Sequence, residues 1–99
     1  ERQGLAFAGV ISIALAVTAK GEVAGDPYVM MDGIPATTSD GRPMDGIVDD
    51  AIFNTLDNLP RGRKRDPDAL ANSLDRAVRN TLRNVWGKRP KVHVLVVEV

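Results

Sequence analysis

The sequence contains no cysteine and a single histidine, His93. Disulfide bonds are therefore excluded, and so are zinc sites built on thiolates or on paired histidines. Aromatic residues make up 4% of the chain, so any core must be aliphatic. Net charge is also absent: 13 basic residues balance 13 acidic ones. That balance argues against a uniformly basic nucleic-acid binder or an acidic tail. The apolar run Leu5–Ala19 is shorter than the roughly 20 residues a membrane span needs, and no basic cluster precedes it. The chain begins at Glu1, as expected of a fragment or a processed product.

What is present fits one small domain. A chain of 99 residues, 43% hydrophobic, can bury a modest core without staples. The neutral total hides a division. Residues 1–50 hold 3 basic and 8 acidic groups (3 − 8 = −5), and residues 51–99 hold 10 and 5 (10 − 5 = +5).

In Leu5–Ala19, large residues at odd positions (Leu5, Phe7, Ile11, Ile13, Leu15, Val17) alternate with small ones, among them Ala6, Ser12, Ala14 and Ala16. This period of two predicts a strand, and the β-branched content outweighs the helical preference of the alanines. Lys20-Gly21 reads as a hairpin turn into a second strand, Glu22–Asp32. Pro27 within that strand requires a sheet edge or a bulge. Gly33–Pro43 reads as a loop. Ile47, Val48, Ala51, Ile52, Leu56 and Leu59 then recur at helical spacing over 44–59, before Pro60. After a basic loop, 61–65, Asp66 is placed as N-cap and Pro67 as the first helical residue of a second helix. Its stripe is Leu70, Leu74, Val78, Leu82 and Val85, and Gly87 closes it. A last strand covers 92–99.

The order β-β-α-α-β predicts an α+β two-layer sandwich. Two antiparallel helices should cover one face of a three-stranded mixed sheet of order 2-1-3, with a right-handed crossover between the parallel strands.

Two helices cover one face, so the other should be polar if it meets water. The small face of the first strand carries no charge, which marks it as an interface with a second copy or with another part of a longer protein. The candidates are Val10, Ser12, Ala14 and Ala16, Tyr28 and Met30 of the second strand, and Val94 and Val96 of the last. The competing reading is a central strand shielded by long neighbours. Phe53 falls among Asp49, Asp50 and Asp57, away from its helix's stripe, as a partner anchor or an ordinary exposed aromatic.

Reactive chemistry is sparse. Asp45, Asp49 and Asp50 suit a helix N-terminal turn as solvated carboxylates more than they suit Mg²⁺. No nucleophile elbow, phosphate loop or catalytic constellation occurs. The basic set is the remaining signal: Arg61, Arg63, Lys64 and Arg65 between the helices, with Arg76, Arg79 and Arg83 on one exposed helix face. Such patches hold phosphate backbones without reading sequence, although interleaved exposed aromatics for stacking bases are missing. The plain alternative is a solvated helix face.

Short motifs in a fixed order carry a resemblance. They are Gly9-Val10-Ile11-Ser12-Ile13-Ala14-Leu15, Gly21-Glu22-Val23, Gly33-Ile34-Pro35, the helical segment 79–86, Lys88-Arg89-Pro90, and the closing strand through Glu98-Val99. Together they span nearly the whole chain, which resembles the C-terminal domain of bacterial ribonuclease J. The resemblance implies a parent enzyme of the metallo-β-lactamase and β-CASP type. Such an enzyme is a metal-dependent nuclease, using zinc or manganese or magnesium, that degrades and matures RNA from the 5′ end and internally. Its ligand run, His-x-His-x-Asp-His, is absent, so no catalytic or metal residue carries over and this domain is expected to hold no cofactor. The resemblance further implies a single domain, 1–99, at the C-terminal end of a longer cytoplasmic ribonuclease. Its expected partners are a second copy of itself and the catalytic domains of the parent chain, with no membrane. Its expected role is oligomerisation and support of activity, with RNA contact or protein docking as the alternative.

Overall fold

The aliphatic odd positions of the first strand decide the architecture. The computed structural model describes residues 7–99, with side chains from Gly9 onward except that of Arg61. Leu5 and Ala6, placed in the first strand from sequence, lie outside the described residues. The elements are β1 (Phe7–Val17), β2 (Val23–Asp32), α1 (Met44–Asn58), α2 (Arg61–Lys64), α3 (Pro67–Trp86) and β3 (Arg89–Glu98). β1 is central, antiparallel to β2 and parallel to β3, giving the expected order β2-β1-β3.

Ile11, Ile13, Leu15 and Val17 project to one side of β1 and are buried there. Met44, Val48, Ile52 and Leu56 of α1 and Leu70, Leu74, Val78 and Leu82 of α3 meet them. Both helical sets recur every four residues, which lines each up as one ridge. Each fully buried aliphatic side chain contributes on the order of 1.5–3 kcal/mol. Because β1 lies in the middle, its four residues tie both helices to one sheet.

The ends of α3 follow from local chemistry. The Asp66 carboxylate accepts hydrogen bonds from the amides of Asp68 and Ala69 at 3.1 and 3.3 Å. At the other end Gly87 adopts φ 82°, and its N–H donates to the carbonyls of Leu82 and Arg83. The segment read as a basic loop forms the single turn α2 instead. The Pro60 carbonyl accepts from the amides of Arg63 and Lys64, so a proline that stops one helix starts the next turn.

Two irregularities shape the sheet. The pairs Ala14↔Tyr28 and Ala16↔Ala24 leave Leu15 facing the bulged run Gly25-Asp26-Pro27. Pro27 thus sits both on an edge strand and in a bulge, where its missing N–H disturbs no ladder. The second lies between the pairs Phe7↔Arg89 and Val10↔Lys91. There Gly9 has φ 154°, and a Cβ on it would stand 2.9 Å from the carbonyl oxygens of Asp32 and Gly33. Backbone oxygens cannot swing aside as a side-chain end can. Gly9 therefore lets the exit of β2 cross close over β1.

The connection 33–43 carries more order than its composition predicts. Thr38, buried, donates its hydroxyl to the Asp40 carboxylate and accepts the Arg42 amide at 3.1 Å. The Arg42 guanidinium returns to Asp40 at 3.1 Å. A bridge between Thr37 and Pro43 closes this clamp just ahead of α1.

Two predictions follow from these contacts. Gly9→Ala should destabilise the fold by about 1–3 kcal/mol, read as a lower denaturant midpoint with an unchanged slope. A midpoint equal to wild type would contradict the close crossing. The Thr38 hydroxyl, and then Arg42, hold the Asp40 carboxyl below its ordinary value of 3.8. The clamp's stabilisation is therefore present above that value and lost as pH falls through the lowered folded one. An NMR titration of the Asp40 side chain should show the lowered midpoint, and Thr38→Val should move it back up.

Candidate functional site

Three strands covered on one side leave the other side open. On it the central strand contributes the small residues Ser12, Ala14 and Ala16, all half-buried. β2 contributes Tyr28 and Met30, 60% and 53% exposed, and β3 contributes Leu95 and Val97, 61% and 46% exposed. Val10 stands at one end of the central row, flanked by Asp32 and Lys91 on the neighbouring strands. The result is a shallow trough of small side chains between two ridges of large apolar ones. A hollow of about 350 Å³ within it is lined by Ser12, Ala14, Tyr28, His93 and Leu95 among others.

Two of the residues expected on this face lie elsewhere. Val94 and Val96 pair with Ile13 and Leu15, pack against the core and face the helices. Their neighbours Leu95 and Val97 take the open side, because residues on adjacent paired strands share a face. Phe53 does not join the open face either. It borders two grooves between α1 and the bulged part of β2, one with Val23, Gly25 and Lys64, the other with Asp26 and Pro27. The interface candidates therefore split into a sheet set (Val10, Ser12, Ala14, Ala16, Tyr28, Met30), which the structure brings together, and Phe53, which it keeps apart.

The basic residues separate as well. Arg63 in α2 and Arg65 just after it are exposed, while Lys64 is half-buried and shares its groove with Glu22 and Asp57. The Arg61 side chain lies outside the described set. Arg76, Arg79 and Arg83 are exposed on α3, nearer its C-terminal end. The 20 residues of α3 span about 30 Å, so these are two clusters rather than one patch. Arg79 pairs with Asp75 at 2.8 Å, the i,i+4 contact their spacing predicts. Arg89, at the start of β3, joins Arg79, Asn80 and Arg83 around a notch of about 230 Å³. Sequence reading passed over Arg89 and Asn80, since nothing in their spacing links a strand start to a helix face. Trp86, the one tryptophan, is half-buried with the Lys88 ammonium 5.7 Å from its ring.

Among the described residues no three His, Cys, Asp or Glu side chains gather, and His93 stands in the apolar trough beside Leu95. Asp45 spends one carboxylate oxygen on the Gly46 amide at 2.7 Å. Among the described residues no helix is long and apolar enough to cross a membrane.

The chain is 34% identical over 99 residues to ribonuclease J of Sinorhizobium meliloti (strain Sm2011 / Rm2011 / 2011). The match covers 100% of this chain and 18% of that protein, so the chain spans under a fifth of the relative's length. The family model of the ribonuclease J C-terminal domain matches residues 1–99, and the chain belongs to that family.

Proposed function

We propose that this chain is a non-catalytic assembly domain. It pairs copies of a ribonuclease J-type enzyme of RNA processing and decay in the cytoplasm, and so supports the activity of catalytic domains that carry their own metal. The observation that carries the reading is the trough of Ser12, Ala14 and Ala16 between the exposed ridges Tyr28–Met30 and Leu95–Val97. A largely apolar face with a hollow centre and raised flanks, its two charges Asp32 and Lys91 confined to the Val10 end, is complementary to itself. In a two-fold pair, a ridge of one copy enters the trough of the other, and the same patch serves both. Burying those side chains removes from water the largest apolar patch of the sheet.

Size sets the strength of that pairing. Strand spacing near 4.8 Å and ten residues of strand give a footprint of roughly 14 by 33 Å. That lies below the roughly 800 Å² that a standard interface buries on each partner. A pair held by this face alone is therefore concentration-dependent.

Sedimentation equilibrium tests the reading. The wild-type chain should move from monomer toward dimer as concentration rises. Leu95→Lys and Ala14→Lys should each keep it monomeric, while Phe53→Lys should leave the equilibrium unchanged. Leu95 is exposed, so its substitution spares the fold. A wild-type chain monomeric at all concentrations, or a Leu95→Lys variant that pairs as wild type does, would contradict the proposal.

A further inference from the structure

We propose that Arg79, Asn80, Arg83 and Arg89 form a phosphate-binding notch that takes the backbone of single-stranded RNA. The choice of RNA rests on the proposed function above; the notch itself rests on geometry. Arg79, Asn80 and Arg83 occupy positions i, i+1 and i+4 of α3, on the side opposite its buried ridge. Arg89 reaches the same concavity from a different element, and its strand is fixed by pairing with Phe7 of β1. Like charges on a solvated helix face diverge from one another. Here two elements bring three guanidinium groups around one hollow of about 230 Å³, large enough for a phosphate group and its waters.

The charge balance favours an anion. Asp75 neutralises one of the three arginines, and it engages Arg79 through Nε. The terminal nitrogens of that side chain remain as further donors. Among the described residues, Arg83 and Arg89 have no ion pair. The C-terminal end of α3 carries the equivalent of about half a negative charge, which opposes an anion, but the two arginines without an ion pair outweigh it. Guanidinium forks match phosphate oxygens in bidentate fashion, and the Asn80 amide adds a neutral donor. The cluster at the other end of α3 is the weaker competitor. There Lys64 shares its groove with Glu22 and Asp57, and Asp66 and Asp68 follow directly in sequence.

Fluorescence anisotropy with a labelled oligouridylate tests the notch on the 99-residue chain, whose core closes within it. Uridylate stacks weakly and isolates the backbone contribution. Arg83→Gln with Arg89→Gln should weaken binding about tenfold at low salt and flatten the log–log salt dependence by about 1.4, two contacts at 0.7 each. Arg83→Gln alone should give an intermediate loss. Arg63→Gln with Arg65→Gln should stay within about twofold of wild type. Sedimentation of the same variants keeps this test separate from the assembly reading, because none of the four residues lines the apolar trough. Absence of binding by the wild-type chain would overturn the proposal, as would wild-type affinity in the Arg83/Arg89 variant or a larger loss in the Arg63/Arg65 variant. Displacement of oligouridylate by polyglutamate at equal charge would also overturn it, and would assign the notch to acidic proteins.

Discussion

The fold depends on the contact between four aliphatic residues of β1 and the two helical ridges. Ile11, Ile13, Leu15 and Val17 are the central layer against which both α1 and α3 close. Among the described residues no second cluster supplies comparable burial. The same contact creates the candidate surface. By committing its large side chains to the helices, β1 leaves only Ser12, Ala14 and Ala16 for the other side. Neither helix reaches that side. The neighbouring strands then raise Tyr28, Met30, Leu95 and Val97 on either flank. A hollow apolar face is thus the direct outcome of where β1 spends its bulk, and a second copy of the same face is the partner proposed for it.

Much of this was legible in the sequence because it is periodic or local. The alternation along β1 fixes both its strand character and its burial side. Asp66-Pro67 and Gly87 mark the ends of α3 through hydrogen bonds made within a few residues. Pro27 announces an edge and a bulge. What was not legible depends on register or tertiary proximity. A period of two divides β3 into two faces, but only its pairing with β1 decides which of them meets the helices. Val94 opposite Ile13 settles that, and sends Leu95 and Val97 outward. Likewise, the Thr38–Asp40–Arg42 clamp arises from side chains meeting inside a loop whose composition signals only a break in regular structure. Arg89 reaches Arg79 and Arg83 solely because β3 packs beside α3.

Zero net charge conceals an arrangement with consequences. The acidic half supplies β2, its bulge and the first turns of α1, while the basic half supplies α2, α3 and β3. The open face itself holds little charge beyond Asp32 and Lys91 at the Val10 end. The proposed pairing and the proposed phosphate contact draw on different residues, the apolar trough for one and the arginine notch for the other.

The most direct test of the central claim is photo-crosslinking through methionine. A photoreactive analogue replaces Met30 on the open face, Met31 toward the helices and Met44 in the core. If the open faces pair, illumination yields a covalent dimer linked from Met30 to the β1 or β3 residues of a second copy, and Met44 yields only internal links. A dimer linked through other surfaces, or internal links alone at concentrations where the chain is associated, would contradict the account.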